Sequence, residues 1–261
     1  MHADHSAPLA DGLPPSSNLT AAESHVLVHG PEALDAEPFR LAVTELVGRK
    51  HLGLVQAEEP GLRGMGHRGV LVPGEEHGRP EPAPLAALWD LYYSTGVQLG
   101  RRRTFAGGVT GVALRDFTRA AAESFGSLGD YAKRVVVPAL VQQGLLEPRT
   151  TRRLLIIPAR RTVLTAAGEA KRAELKQTLR LAERQAPDWA ANDPMLRMQY
   201  AMFAGSALLL MPEMHWDKEA VDQMRNDWSA AGTSAAGGHD WGGGGGGWDG
   251  GGADGAGGSG N

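Results

Sequence analysis

The first 80 residues carry apolar positions at helical spacing, followed by short runs of β-type residues. Thr20 and Glu23 have the spacing of a capping box, in which two side chains satisfy backbone N–H groups at the start of a helix. Asp35 is the predicted cap of a second helix over residues 36–47, in which apolar residues share one face. This part of the chain is therefore predicted to begin with two helices.

Two strands are predicted after these helices. Leu52–Gln56 and Gly69–Val72 are short apolar runs, and residues 57–68 between them, rich in Gly, Glu, Pro and Arg, are predicted to be a loop. Helices followed by a β-hairpin are the order of elements in a winged helix. The pattern indicates a first winged-helix-like unit over residues 18–80.

A longer version of the same order follows over residues 84–184. The predicted elements are a helix over 84–95, a loop over 96–111, a helix over 114–125, a helix opened by Ser127 and Asp130 and ended by Gly144, a hairpin over 145–164, and a long helix to about Arg184 capped by Thr165. In the hairpin, 154–157 is the predicted strand, 158–161 the turn and 162–164 the return. Pro138 lacks a backbone N–H, so its helix must kink or restart there. These elements predict a second winged-helix-like unit.

The remaining parts of the chain differ in composition from these units. Residues 1–17 lack periodicity and are predicted to be a disordered leader. Residues 185–231 hold two further predicted helices and an apolar run at 208–211. Residues 232–261 contain 16 of the 36 glycines and no Lys or Arg. Because glycine loses the most backbone entropy on ordering, this segment is predicted to be a disordered tail.

The predicted fold class is therefore α+β and mostly α. It comprises two tandem winged-helix-like units, a C-terminal helical region and a Gly-rich disordered tail. The sequence shows no secretory signal and no apolar run of the roughly 20 residues that a membrane-spanning helix needs, so we expect a cytoplasmic protein without a membrane span. The absence of cysteine excludes disulfides and thiolate chemistry.

Candidate chemistry along the chain is sparse. His25 and His29 have a spacing that lets two imidazoles meet one metal ion, but no third ligand follows at a defined spacing. The glycines of 107–111 follow a basic run but lack the Lys-Ser/Thr step of a phosphate-binding loop. The carboxylate pairs 58–59 and 75–76 are expected to be solvated in loops. We therefore predict no catalytic residue, metal, cofactor or small-molecule substrate.

Charge is unevenly distributed along the chain, although the net charge is only −4. Residues 101–184 hold 17 Lys/Arg and 7 Asp/Glu, whereas residues 1–100 hold 6 and 13 and residues 185–261 hold 3 and 10. A basic block between two acidic ones predicts either binding to an external polyanion or neutralisation by the acidic flanks.

Basic residues of the second unit form the candidate binding site. They are Lys133, Arg134, Arg149, Arg152, Arg153, Arg160, Arg161, Lys171 and Arg172. The first two lie where a recognition helix is expected, the next five along the hairpin or wing, and the last two on the following helix. We expect a non-enzymatic interaction or regulatory module in which this surface meets an acidic protein partner, the chain's own acidic flanks or a second copy. The alternative is a DNA-binding regulator of low sequence specificity, because phosphates flank the groove on both sides.

Four segments carry a family resemblance. They are LAVTELVGRKHLGLV (41–55), VVPALVQQGLLEP (136–148), VLTAAGEAKRAEL (163–175) and MLRMQYAMFAGSA (195–207). With the Trp-containing Gly-rich tail, they resemble the cytosolic C-terminal region of a bacterial family of predicted membrane proteins of unknown function. The Leu-Thr-x-x-Gly step at 164–168 also resembles winged-helix proteins. The family supplies no catalytic residues, and this chain differs from it in lacking an apolar run long enough to span a membrane.

Overall fold

The computed structural model describes residues 18–32, 35–61, 64–97, 100–153 and 157–185. The helices are α1 (Ala21–His29), α2 (Glu37–Gly48), α3 (Ala83–Val97), α4 (Leu114–Phe125), α5 (Leu128–Tyr131), α6 (Val137–Gln142) and α7 (Ala166–Gln185). The strands are β1 (Leu52–Gly61), β2 (Gly64–Pro73), β3 (Arg102–Thr104), β4 (Thr110–Ala113), β5 (Leu146–Arg153) and β6 (Ile157–Leu164). The expected α+β, mostly helical class is confirmed for this part of the chain.

Three predicted regions lie outside the described residues. They are the leader over 1–17, the C-terminal helical region after Gln185, and the Gly-rich tail over 232–261. Among the helices that are described, none is both long enough and apolar enough to cross a membrane.

Helix α1 is buried along almost its whole length. Every residue from Ala21 to Val28 is buried, and the helix packs against α2, α6 and α7. The predicted capping box is confirmed: the Thr20 hydroxyl accepts a hydrogen bond from the backbone N–H of Glu23 at 3.2 Å, and Glu23 Oε2 accepts one from the N–H of Thr20 at 2.8 Å. Two backbone N–H groups at the start of this buried helix, those of Thr20 and Glu23, are thus satisfied by local side chains.

Two buried carboxylates join α1 to its neighbours. Glu23 Oε1 accepts a hydrogen bond from Gln143 Nε2 at 2.7 Å. Glu45 of α2 accepts bonds from the backbone N–H of Ala21 at 2.7 Å and from Arg49 Nε at 2.9 Å. A buried carboxylate is costly unless it is fully partnered, and a helix N-terminus favours negative charge. These bonds therefore fix the start of α1 against α2 and against the end of α6.

The first sheet is four-stranded and antiparallel, in the order β1-β2-β4-β3. Successive residues of a strand point to opposite faces, and both faces of β2 are covered at residues 69–71. Leu71 faces the main core, whereas Val70 belongs to a second, smaller cluster with Phe105 and Ala113. A strand that is buried on both faces has a continuous apolar run, which is the pattern of residues 69–72.

The prediction of loops over 57–68 and 96–111 was wrong for most of these residues. β1 and β2 continue through this polar stretch, with Ala57 opposite Arg68 and Glu58 opposite His67. The second stretch contains β3, a short 3-10 turn at 106–108 and the start of β4. Backbone hydrogen bonds extend a hairpin without apolar side chains, so hydrophobic pattern alone underestimates its length.

The helix predicted between Ser127 and Gly144 is one continuous helical stretch of three parts. Ser127 caps α5 by accepting a hydrogen bond from the N–H of Asp130 at 3.0 Å. A π-helical turn over 132–136 connects α5 to α6, and Pro138 stands in the first turn of α6, where its missing N–H is not needed. Of the two predicted alternatives, a kink or a restart, the structure has Pro138 in the first turn of α6, within a continuous helical stretch. Gly144 follows with φ +72°, a left-handed conformation that ends the stretch.

The second hairpin is present, but its predicted turn was wrong. β5 pairs with β6 from Leu146 opposite Leu164 to Arg153 opposite Ile157, so residues 158–161 lie in a strand. A two-stranded sheet has only edge strands, and these tolerate Pro158 because no further strand needs its missing N–H. Long helix α7 follows as predicted, with Thr165 as its cap.

Elements from both predicted units share one hydrophobic core. The rings of Phe39, Phe117 and Tyr131 form its centre, with Phe39 lying 6.0 Å from Phe117 and 5.8 Å from Tyr131, measured between centroids. Strand β2 of the first segment pairs with β4 of the second. Residues 21–73 and 83–175 therefore stabilise one another.

We expect the Glu45→Ala variant to lose about 3 kcal/mol of unfolding free energy, because it leaves the buried N–H of Ala21 without its acceptor and removes the ion pair with Arg49. Chemical denaturation of the full chain measures this loss. The matched control is Glu37→Ala on the same helix, a half-exposed residue whose pair with Arg40 is worth at most about 1 kcal/mol. Equal losses for the two variants would contradict the structural role of Glu45.

Candidate interaction surface

The base of the β5–β6 hairpin is held by the residues on either side of it. Thr165 Oγ1 donates a hydrogen bond to the carbonyl of Gly144 at 2.7 Å and accepts one from the N–H of Gly168 at 3.0 Å. A Cβ on Gly168 would lie 2.0 Å from the carbonyl oxygen of Leu145, so only glycine allows this approach. The Leu-Thr-x-x-Gly step thus fixes the start of α7 against the start of the hairpin.

Two predicted site residues, Arg149 and Arg161, are brought directly opposite each other. They are cross-strand partners in the β5–β6 register, and both are exposed. Arg161 lies 3.7 Å from Glu32, in the segment after α1, whereas Arg149 has no ion pair with any described residue. Like charges directly opposite in an antiparallel pair repel, so this arrangement costs stability unless an anion neutralises it.

The other three hairpin arginines lie at further positions of the same two strands. In the register, Arg152 is opposite Pro158, Arg153 is opposite Ile157, and Arg160 is opposite Thr150. The backbone therefore places all five predicted hairpin arginines within two adjacent strands.

Lys133 and Arg134 lie on the helical stretch that precedes the hairpin. Both are exposed on the π-helical turn, 13 and 12 residues before Leu146, where the hairpin begins. The helix from Lys133 to Gln142 alone is about 14 Å long. Lys133 Nζ donates to Asp130 Oδ1 at 2.9 Å. Hydrogen bonds from Lys133 and Ser127 hold the pKa of Asp130 below its ordinary value, so its carboxylate stays charged beside these cations.

Lys171 and Arg172 have local partners on α7. Lys171 Nζ donates to both carboxylate oxygens of Glu174, at 2.8 and 2.9 Å. Arg172 Nε donates to the carbonyl of Val28 at 3.2 Å, near the C-terminal end of α1, where a cation complements the helix dipole. Arg172 thus ties α7 to α1 and has a structural role that the sequence pattern does not reveal.

Acidic side chains that pair with these cations are absent from the predicted set of site residues. Glu32, Asp130 and Glu174 each neutralise one of the nine predicted residues. The pairs of Asp130 and Glu174 follow i,i+3 spacing on a helix and are readable from the sequence. The Glu32 pair joins residues far apart in the chain, and no local signal points to it.

The two histidines of α1 lie against each other. Their rings are 4.4 Å apart, and His25 Nε2 is buried without a hydrogen-bond partner, 3.7 Å from Asp35. Burial, with the neighbouring charge of His29, lowers the pKa of His25 to about 4, while Asp35 acts in the opposite direction. Within the described ranges, no group of three or more His, Cys, Asp or Glu residues could hold a metal ion.

The other candidate loops are ordinary structural turns. Gly107 and Gly108 form the turn between β3 and β4, both with positive φ, as expected for turn glycines. Glu75 pairs with Lys50 at 2.8 Å on the surface, and this hydrogen bond holds the pKa of Glu75 below its ordinary range. Glu75 is thus a charged, exposed carboxylate.

Comparison of the chain with protein-family models, with curated proteins and with solved structures found no match.

We expect the unfolding free energy to fall as the pH is lowered from about 6.5 to about 4. In this window the unfolded chain binds a proton at His25 and the folded chain does not, which costs about 3 kcal/mol. Denaturation of the full chain at several pH values measures the loss. The His25→Leu variant should have a flatter profile, whereas His77→Leu, in an exposed loop, should keep the original slope. A His25→Leu profile parallel to that of the original protein would disprove this assignment.

Proposed function

We propose that the protein is a non-enzymatic interaction module whose β5–β6 hairpin binds an acidic protein surface. The observation that carries this proposal is the exposed Arg149, which faces Arg161 across the strands and has no ion pair with a described residue. A carboxylate between the two guanidinium groups would relieve their repulsion and accept charge-assisted hydrogen bonds.

Charge pairing elsewhere in the described body supports this choice of surface. Several other cations are neutralised by nearby acids: exposed Lys50 by Glu75, Arg79 by Asp90 and Lys133 by Asp130, and half-buried Lys171 by Glu174. Of the basic positions named in the sequence analysis, Arg149 and Arg161 combine exposure with a shared strand position. An incoming acidic group gains most at Arg149, because no acid of the described residues already neutralises this guanidinium.

Winged-helix-like architecture is part of the proposal. The order of a helix, a pair of short strands, two helical segments and the β5–β6 hairpin over residues 83–164 agrees with such a unit. The same order favours DNA binding as a second candidate, with the stretch over 128–142 as the recognition helix and the hairpin as the wing. Against DNA, Asp130 puts a carboxylate at the start of that helix, where it would face phosphates, and it already occupies Lys133.

A titration with poly-L-glutamate as the acidic probe tests the proposal. We expect the full chain to bind this probe at low salt, and we expect the Arg149→Glu and Arg161→Glu variants each to weaken binding about tenfold, because a like charge replaces an attraction at the hairpin. Isothermal titration calorimetry measures the affinities.

Lys50→Glu is the matched control, since Lys50 is an exposed cation that Glu75 already neutralises on the four-stranded sheet. It should leave the affinity within about twofold. Equal weakening by all three substitutions would mean that the probe reads only net charge, and would overturn the proposal. Tighter binding to duplex DNA than to poly-L-glutamate at the same salt, lost in the Arg149→Glu variant, would favour the DNA-binding alternative.

A further inference from the structure

The sequence of the C-terminal Gly-rich segment contains two mirrored pairs of an acid and an aromatic residue. They are Asp240-Trp241 and Trp248-Asp249, separated by six glycines. Tryptophan has the best aromatic face for a cation, and an aspartate neutralises a guanidinium by charge-assisted hydrogen bonds. Residues 232–261 contain no Lys or Arg to compete for these groups. We call the two dipeptides the Asp/Trp pairs.

The hairpin offers the complementary chemistry. Arginine stacks on aromatic faces and binds carboxylates in the same geometry, a combination that lysine does not match. All five basic hairpin positions are arginine, and Arg149 and Arg161 lie exposed and opposite each other. A chain that presents both indole rings and carboxylates therefore fits this surface better than a purely acidic chain.

Chain length allows the Asp/Trp pairs to reach the hairpin. Helix α7 begins at the base of the hairpin and has 20 residues, so Gln185 lies at most about 30 Å from that base. The residues between Gln185 and Asp240 would span up to about 180 Å if fully extended, and the two helices predicted within 185–231 shorten this reach without bringing it below about 30 Å. Trp241 and Trp248 can be at most about 24 Å apart, close to the length of an eight-residue strand such as β5.

We propose that the Asp/Trp pairs bind the β5–β6 arginines of their own chain and compete there with an external acidic partner. The inference rests on the proposed function, because it names an occupant for the same surface. Two weak pairs on one tether act together, since the second contact forms at the high effective concentration set by the first. The segment is thus an internal inhibitor that an acidic partner must displace.

Absence of cysteine from the chain makes a direct distance test practical. A spin label is attached to a single cysteine introduced by Thr150→Cys, at an exposed position of β5 next to Arg149. We expect the indole N–H signals of Trp241 and Trp248 to broaden in NMR spectra of the full chain. The broadening should disappear in the Arg149→Glu, Arg161→Glu double variant. A label at Ala106→Cys, exposed on the four-stranded sheet, is the control and should leave both signals sharp.

Competition supplies the second readout. With the Asp/Trp pairs weakened by Asp240→Asn and Asp249→Asn, affinity for poly-L-glutamate should rise about threefold, as expected if the hairpin is otherwise free about one third of the time. Asp254→Asn is the matched control, because Asp254 has no tryptophan neighbour and should change the affinity less.

Sharp indole signals together with Arg149-dependent binding of poly-L-glutamate would overturn this inference and leave the proposed function intact. Sharp indole signals together with poly-L-glutamate binding that does not depend on Arg149 would overturn both this inference and the proposed function. Broadening only in a mixture of spin-labelled and isotope-labelled chains would assign the contact to a second copy, and would overturn the same-chain proposal.

Discussion

Two buried carboxylates at the start of α1 are the constraint on which the rest of the described structure depends. Glu23 and Glu45 are almost fully buried, and each needs hydrogen-bond donors to offset the loss of water. Those donors come from the helix itself, from α2 and from Gln143, 120 residues along the chain. Because α1 is enclosed, α7 and the end of α6 have fixed places beside it, and these two helices flank the β5–β6 hairpin.

The position of the hairpin decides which cations are available for binding. Arg172 is used to tie α7 to α1, and Lys133 is neutralised beside Asp130. Backbone pairing between β5 and β6 fixes Arg149 and Arg161 at opposing positions. Separating the two guanidinium groups by sliding one strand would change the register of the whole hairpin. Under the proposed function, an acidic group bound at this pair would relieve the repulsion between the two guanidinium groups.

Local features of this fold were predictable from the sequence, and long-range pairings were not. The caps at Thr20, Ser127 and Thr165 and the first-turn position of Pro138 depend on residues within one helical turn, so spacing alone reveals them. The hairpin turn and the extension of β1 were misplaced, because backbone pairing across strands carries no hydrophobic signal. The basic hairpin was expected, but the opposition of its arginines required the register.

The central claim is that Arg149 and Arg161 together form the binding surface. The most direct measurement is a set of arginine Nε–Hε NMR spectra of the full chain during addition of a glutamate-rich peptide. Our account predicts that these two signals shift together and saturate, while Arg79, already paired with Asp90, and Arg172, bonded to Val28, stay in place. Shifts of equal size at every exposed arginine, without saturation, would contradict it.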